Sequence, residues 1–153
     1  MVQIVLYQPD IAQNVGSIIR TAVCFGVPVH LIEPMGFPWH AAKFKRAGMD
    51  YIDRAQITRH MSWAQFMAAK PAAARLVALT TKGSTALPDF TFTVDDWLLF
   101  GRESAGLPDE VHEQAAARVR IPMAAGERSM NLAQSCAITS YTALAQIAAL
   151  PQG

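Results

Sequence analysis

Four short stretches of this chain hold residues suited to gripping a nucleotide-like ligand: Gln8–Asn14, Thr80–Ser84, Gly101–Gly106 and Ala124–Asn131. Each carries Gly, Ser or Asn just after an apolar run. The last leads through Arg128, Ser129 and Asn131 into a long Ala-rich apolar helix. Ser129 is the expected N-cap, since its hydroxyl can accept from the free N–H groups of the first turn. Those N–H donors and the helix dipole make such a junction a natural anion or nucleotide site.

Several chemistries are excluded by spacing. The stretch Pro9–Gly16 has one glycine where a dinucleotide fingerprint needs three. Thr80-Thr81-Lys82-Gly83-Ser84-Thr85 lacks the leading glycine of a phosphate loop and places Lys before Gly. Gly101-Arg102-Glu103-Ser104-Ala105-Gly106 is one residue too long for a nucleophile elbow. Asp95-Asp96 point to opposite faces or form a turn, so no acid–base carboxylate pair is in view.

The elements that must position these loops follow from periodicity. Val2–Tyr7, Val29–Ile32, Leu76–Thr81 and Trp97–Phe100 are mainly apolar runs of strand length, Ile57–Arg59 is expected as a short strand, and Arg118–Met123 as the last one. Between the first two, Val15, Ile18, Ile19, Ala22 and Val23 form the stripe of a helix packed on a sheet, stopped by Gly26 and Pro28. Further helices are expected over 39–49, from the cap Ser62 to Lys70, from Pro108, and after Ser129. Strands apolar throughout and alternating with helices predict an α/β fold, a parallel sheet covered on both faces. In such sheets ligands bind beyond the carboxyl ends of the strands, which is where the four loops fall.

The chain has 153 residues, consistent with one domain, and is 52% hydrophobic. Only 16% of it is charged, below the roughly 25% of soluble domains. That leaves apolar surface to hide and favours a homo-oligomer. A net charge of +1 gives no global basic field, so any nucleic-acid contact must be local. Cys24 and Cys136 read as buried free thiols, and the scattered His30, His40, His60 and His112 give no metal site. No run approaches a membrane span, and the N-terminus lacks the basic region of a signal peptide, so a cytoplasmic location is expected.

Three loops together resemble the SPOUT superfamily of RNA ribose 2′-O-methyltransferases. Asn14-Val15-Gly16-Ser17-Ile18-Ile19-Arg20 is similar to its first motif, and Leu99-Phe100-Gly101-Arg102-Glu103-Ser104-Ala105-Gly106-Leu107-Pro108 to its second. Ile121-Pro122-Met123 followed by Arg128-Ser129-Met130-Asn131-Leu132 is similar to its third. The likeness runs nearly end to end, as a single domain over 1–153 with no RNA-binding extension. Ile32-Glu33-Pro34-Met35-Gly36-Phe37 and Arg46-Ala47-Gly48-Met49-Asp50-Tyr51 most resemble the minimal branch, which methylates the wobble ribose, cytidine or modified uridine, of leucine tRNAs.

The resemblance implies a C-terminal trefoil knot, S-adenosylmethionine bound bent in its loops, a tRNA substrate and an obligate homodimer. It assigns Arg20 to catalysis through a substrate phosphate. With a guanidinium pKa above 12, electrostatic stabilisation and positioning fit better than a literal base. Asn14 becomes a positioning residue near the dimer interface, and Glu103 orders the knot loop or Arg20. Ser129 and Asn131 hold the methionine end and ribose of the cofactor. Leu79, Thr80, Gly101, Ile121, Ser129 and Met130 supply further cofactor contacts, largely from backbone. Lys43, Lys45, Arg46, Arg54 and Arg59 form a local basic patch for RNA phosphates, with Lys82 a second candidate. Trp39, Trp63 and Trp97 are core tryptophans, Trp39 being the one placed to stack a base. Two positions depart from the family pattern: Gln13 replaces the usual Pro before Asn14, and Ala133-Gln134 replaces Ser-Asn after Leu132.

Overall fold

The computed structural model describes residues 1–153. Its strands are β1 (Gln3–Tyr7), β2 (Val29–Ile32), β3 (Ile57–His60), β4 (Arg75–Leu79), β5 (Thr85–Ala86), β6 (Asp96–Phe100) and β7 (Ala117–Arg120). They form one sheet in the order β3-β2-β1-β6-β4-β7-β5, with every pairing parallel. The helices are α1 (Ala12–Phe25), α2 (Ala41–Arg46), α3 (Trp63–Ala69), α4 (Asp109–Gln114) and α5 (Leu132–Gln146), with 3-10 turns at Asp50–Arg54 and Leu87–Asp89.

Both faces of the sheet are covered. On one, Val15, Ile18 and Ile19 of α1 and Cys136, Ala143 and Leu144 of α5 pack with Ile4, Leu6, Val77, Leu98 and Phe100. On the other, Phe66 of α3 and Val111 of α4 pack with Val5, Ile32, Leu76, Ala78 and Leu99. Alternate residues of β1, β4 and β6 thus enter opposite cores, which is why these strands are apolar without interruption. Each fully buried aliphatic side chain stabilises the fold by about 1.5–3 kcal/mol.

β1 lies between β2 on one side and β6 on the other. The chain winds in opposite directions from this point, and a crevice opens at the carboxyl ends there. The adjacent ends of β1, β6, β4 and β7 deliver the loops beginning at Gln8, Gly101, Thr80 and Ile121 side by side.

Several sequence expectations are corrected. The last strand stops at Arg120 rather than Met123: the chain leaves the sheet there, and Ile121 and Met123 line a cavity instead. Asn131, not Ser129, caps α5: its Oδ1 accepts from the N–H groups of Ala133 and Gln134 at 2.9 and 3.2 Å. The helix expected over 39–49 is only Ala41–Arg46, followed by the separate turn Asp50–Arg54. Cys136 is buried but Cys24 is exposed, because it falls off the inward stripe of α1. Asp96 is a structural carboxylate, fully buried and forked by Arg75 Nε and Nη2 at 2.6 and 2.7 Å. Trp97 is a core residue, whereas Trp39 and Trp63 are only partly buried.

Candidate active site at the strand carboxyl ends

The four loops converge on one cavity of about 520 Å³, within the range of small-molecule and cofactor sites. Its walls are sorted by chemistry. Leu79, Leu107, Ile121, Met130 and Leu132 provide apolar surface, while Thr80, Glu103, Ser129, Asn131 and Ser135 provide polar groups. Every residue named above for cofactor contact lines it, as do Asn14, Glu103, Asn131 and Lys82.

A chain of hydrogen bonds ties three of the loops together. Asn131 Nδ2 donates to Asn14 Oδ1 at 3.2 Å, and Asn14 Nδ2 donates to Glu103 Oε1 at 3.4 Å. The other oxygen of Glu103 accepts from the Asp10 N–H at 2.8 Å. Asp10 in turn accepts from the Ser104 N–H and hydroxyl. The bond from Ser104, opposed in part by desolvation, holds the Asp10 carboxyl below its usual range. Asn131 therefore does two jobs, since its oxygen caps α5 and its amide nitrogen fixes Asn14. Glu103 braces the loop of β6 against the start of α1, with both oxygens engaged.

The β6 loop is closed on itself by reciprocal backbone bonds between Arg102 and Gly106 at 3.2 and 2.8 Å. Gly101 is required there, because an added Cβ would lie 2.4 Å from the Gly106 carbonyl carbon.

S-adenosylmethionine fits this donor set. The apolar wall suits an adenine, and the hydroxyls and amides of Thr80, Ser129, Asn131 and Ser135 suit a ribose and an amino-acid end. Glu103 and Asp109 also line the cavity, and their carboxylates suit a ligand that carries a positive charge. No group of three or more His, Cys, Asp or Glu side chains is placed to hold a metal ion.

Arg20 does not line the cavity. It sits on α1 six residues beyond Asn14, about 9 Å along the axis, with its guanidinium 5.0 Å from the centre of the Tyr51 ring. Of the basic patch, Lys45 is bonded to Asp53 at 2.6 Å and Arg59 to Glu33 at 2.6 Å, leaving Lys43, Arg46 and Arg54 outside any ion pair. Lys82 belongs with the cavity, not with α2. Sequence reasoning missed Tyr51 as a support for Arg20, and Arg102, His112 and Ser135 as lining residues. For Ser135 a signal was present: it lies one helical turn after Asn131.

Comparison with known proteins shows the family and the fold. Residues 1–141 match the SpoU rRNA Methylase family. The chain is 51% identical over 142 residues to a tRNA (cytidine(34)-2′-O)-methyltransferase of Ancylobacter novellus, covering 92% of this chain and 90% of the relative. A relative with the same name from Beijerinckia indica subsp. indica is 49% identical over 146 residues, covering 95% and 91%. A solved structure from work on the 2-OH methylation of C/U34 on tRNA superposes with a TM-score of 0.89 at 43% identity, covering 95% of each chain. An AdoMet-bound rRNA methyltransferase of Sinorhizobium meliloti gives a TM-score of 0.83 at 29% identity, covering 94% of this chain and 56% of that one. On the extent of the family match and these identities, the chain belongs to the SpoU rRNA methylase family.

Proposed function

We propose that this protein transfers the methyl group of S-adenosylmethionine to the ribose 2′-oxygen of nucleotide 34 in tRNA. The observation that carries the reading is the Asn131–Asn14–Glu103 chain, which joins three loops at one cofactor-sized cavity. The tRNA substrate is favoured over rRNA by the relatives at 51% and 49% identity, both named for cytidine 34 of tRNA.

S-adenosylmethionine supplies an electrophilic methyl group carried on a sulfonium. The residues of the chain must hold the ribose oxygen in line with it and favour loss of the hydroxyl proton. Asn14 and Asn131, fixed to one another, orient the groups at the cavity mouth. Glu103 is a brace and not a free base, because its oxygens are already occupied. Arg20, outside the cavity and paired with no carboxylate, grips a substrate phosphate and stabilises developing negative charge. Ser129 and Asn131 hold the ribose and methionine parts of the cofactor, and Leu79, Thr80, Gly101, Ile121 and Met130 its adenosine. Lys43 and Arg46 offer the strongest cationic contact to RNA, with Lys45 weakened by Asp53 and Lys82 acting at the cavity.

The same reading makes the protein a homodimer through α1 and α5, whose outer surface leaves Ile138 and Tyr141 exposed. It also threads Ile121–Asn131 as a trefoil knot and places the enzyme in the cytoplasm. No helix is long and apolar enough to cross a membrane. The test is methylation of total tRNA from a strain deleted for the gene, with the modified nucleotide mapped. A 2′-O-methyl group at position 34 of tRNA is expected; modification only of rRNA, or none, overturns the reading.

A further inference from the structure

The first turn of α1 borders two separate hollows. Ile11 and Asn14 line the cofactor cavity, whereas Ala12 and Gln13 line a second groove of about 360 Å³. The far wall of this groove comes from the segment between β2 and the turn Asp50–Arg54. Its floor is aromatic and apolar, made by Phe37, Phe44 and Met49, with His40 and Lys43 along the rim. Phe37 and Phe44 meet edge to face with centroids 6.4 Å apart, and Trp39 backs Phe44 at 5.1 Å. Met49 is pressed against α1 where Gly16 has no side chain, since a Cβ there would lie 2.6 Å from the Met49 sulfur. Packing thus fixes the floor.

The charge pattern of the groove selects its occupant. No acidic residue lines it, and Lys43 enters no ion pair, although neighbouring Lys45 is neutralised by Asp53. An apolar aromatic floor beside an unpaired cation matches the two parts of a single-stranded ribonucleotide, a flat base and a phosphate. A folded protein partner needs a far larger surface, about 20–30 residues a side, than these nine lining residues offer. The groove and the cofactor cavity also share one helical turn, so an RNA chain with its ribose at one hollow has a neighbouring nucleotide at the other.

We propose that the groove is a nucleobase subsite. An unstacked base adjoining the methylated nucleotide lies against Phe37 and Phe44, its phosphate meets Lys43, and the exposed Gln13 amide faces its edge. The subsite deepens the methyltransferase reading and rests on it.

The test uses tRNA anticodon stem–loop RNAs in which each loop nucleotide in turn is made abasic, assayed with the wild-type protein and with Ala47→Phe. Ala47 is an exposed lining residue whose enlargement fills the groove without touching the cofactor cavity. One abasic position next to the target should raise KM about tenfold in the wild-type protein, the size expected for one stacked base. In Ala47→Phe the intact RNA should already show the raised KM, and that abasic position should cost nothing more, with S-adenosylmethionine affinity unchanged by calorimetry. Equal KM for all abasic RNAs, or an abasic penalty that survives in Ala47→Phe, overturns the subsite and leaves the methyltransferase reading intact. Dissociation of Ala47→Phe into monomers with the abasic penalty retained overturns it in favour of an interface between copies. Absence of any RNA binding or methylation by the wild-type protein removes both readings.

Discussion

The Arg20 guanidinium lies 5.0 Å from the centre of the Tyr51 ring, and the Tyr51 hydroxyl donates to the Gly16 carbonyl at 2.7 Å. One buried aromatic thus anchors to the backbone of α1 and offers its face to a cation one turn further on. Burial raises the Tyr51 pKa, so the hydroxyl stays protonated and remains a donor. Tyr51→Leu removes the face that holds Arg20. With cation–π contacts worth about 0.5–1 kcal/mol at exposed sites, kcat/KM for RNA should fall about threefold to fivefold. Tyr51→Phe keeps the ring and should recover most of that loss. Arg20→Ala should abolish methyl transfer while leaving cofactor affinity unchanged. Steady-state kinetics beside calorimetry on the four proteins separate these effects, and a fully active Arg20→Ala refutes the assigned role.

A second expectation concerns the two jobs of Asn131. Asn131→Ala removes the cap of α5, which should cost about 1 kcal/mol of stability, and also releases Asn14. Asn131→Asp keeps a capping oxygen but cannot donate to Asn14 and adds negative charge at the cavity mouth. Thermal unfolding should therefore rank wild type close to Asp and above Ala. Methyl transfer should instead be impaired in both variants. If Asp retained full activity, the donor bond to Asn14 would have no part in the reaction.

How much of this was legible in the sequence depended on whether the cause was local. β1, β2, β4 and β6 follow from mainly apolar runs and α1 from a 3.6-residue stripe, and β2 ends where the sequence places it. The four loops were reached from the carboxyl ends of the strands and the individual cofactor contacts through motif resemblance, and each residue named for cofactor contact lines the cavity. The cap of α5 was misplaced by two residues because Ser and Asn both cap well, and the choice is made by Asn14, 117 residues away. β5 is two residues long and exists only through pairing with β7, so it has no periodicity to read. The Arg20–Tyr51 contact joins positions whose approach depends on a bare Gly16 and the packing of Met49.

Asp96 and Arg75 give a stability prediction independent of function. Asp96 accepts from Arg75 Nε and Nη2 and from the Thr93 N–H and hydroxyl, and its side chain is fully buried. That bond raises the Arg75 pKa despite some opposing desolvation. Asp96→Ala strands Arg75 at the start of β4 and unpairs the Thr93 N–H. Breaking a buried pair in this way costs about 3–5 kcal/mol, and the partial exposure of Arg75 places the expected loss at about 3 kcal/mol. Chemical denaturation should show the midpoint falling with the slope unchanged, and a loss under 1 kcal/mol would refute the account.

The last expectation is a dependence of stability on pH set by His30 and His60. His30 Nδ1 and His60 Nε2 are 2.9 Å apart, and His30 Nε2 donates to Gln3 Oε1 at 2.6 Å. When both rings are neutral and that donor is fixed, His30 Nδ1 accepts from His60 Nε2–H. His30 also stacks on Trp97 at 4.6 Å. Burial first, and the charge of His60 second, push the His30 pKa from 6.5 down to about 4, and burial lowers that of His60. Between these values the unfolded chain binds protons that the folded chain refuses, so acid favours unfolding. The stability is fully present above pH 6.5 and is lost progressively as the pH falls toward 4. Denaturation midpoints measured across pH 4–7 should decline on the acid side in the wild-type protein. In His30→Gln the whole curve should lie lower and its decline over the same window should be shallower, because one of the two groups that gain a proton on unfolding is gone. An equally steep decline in that variant would assign the acid sensitivity to other groups.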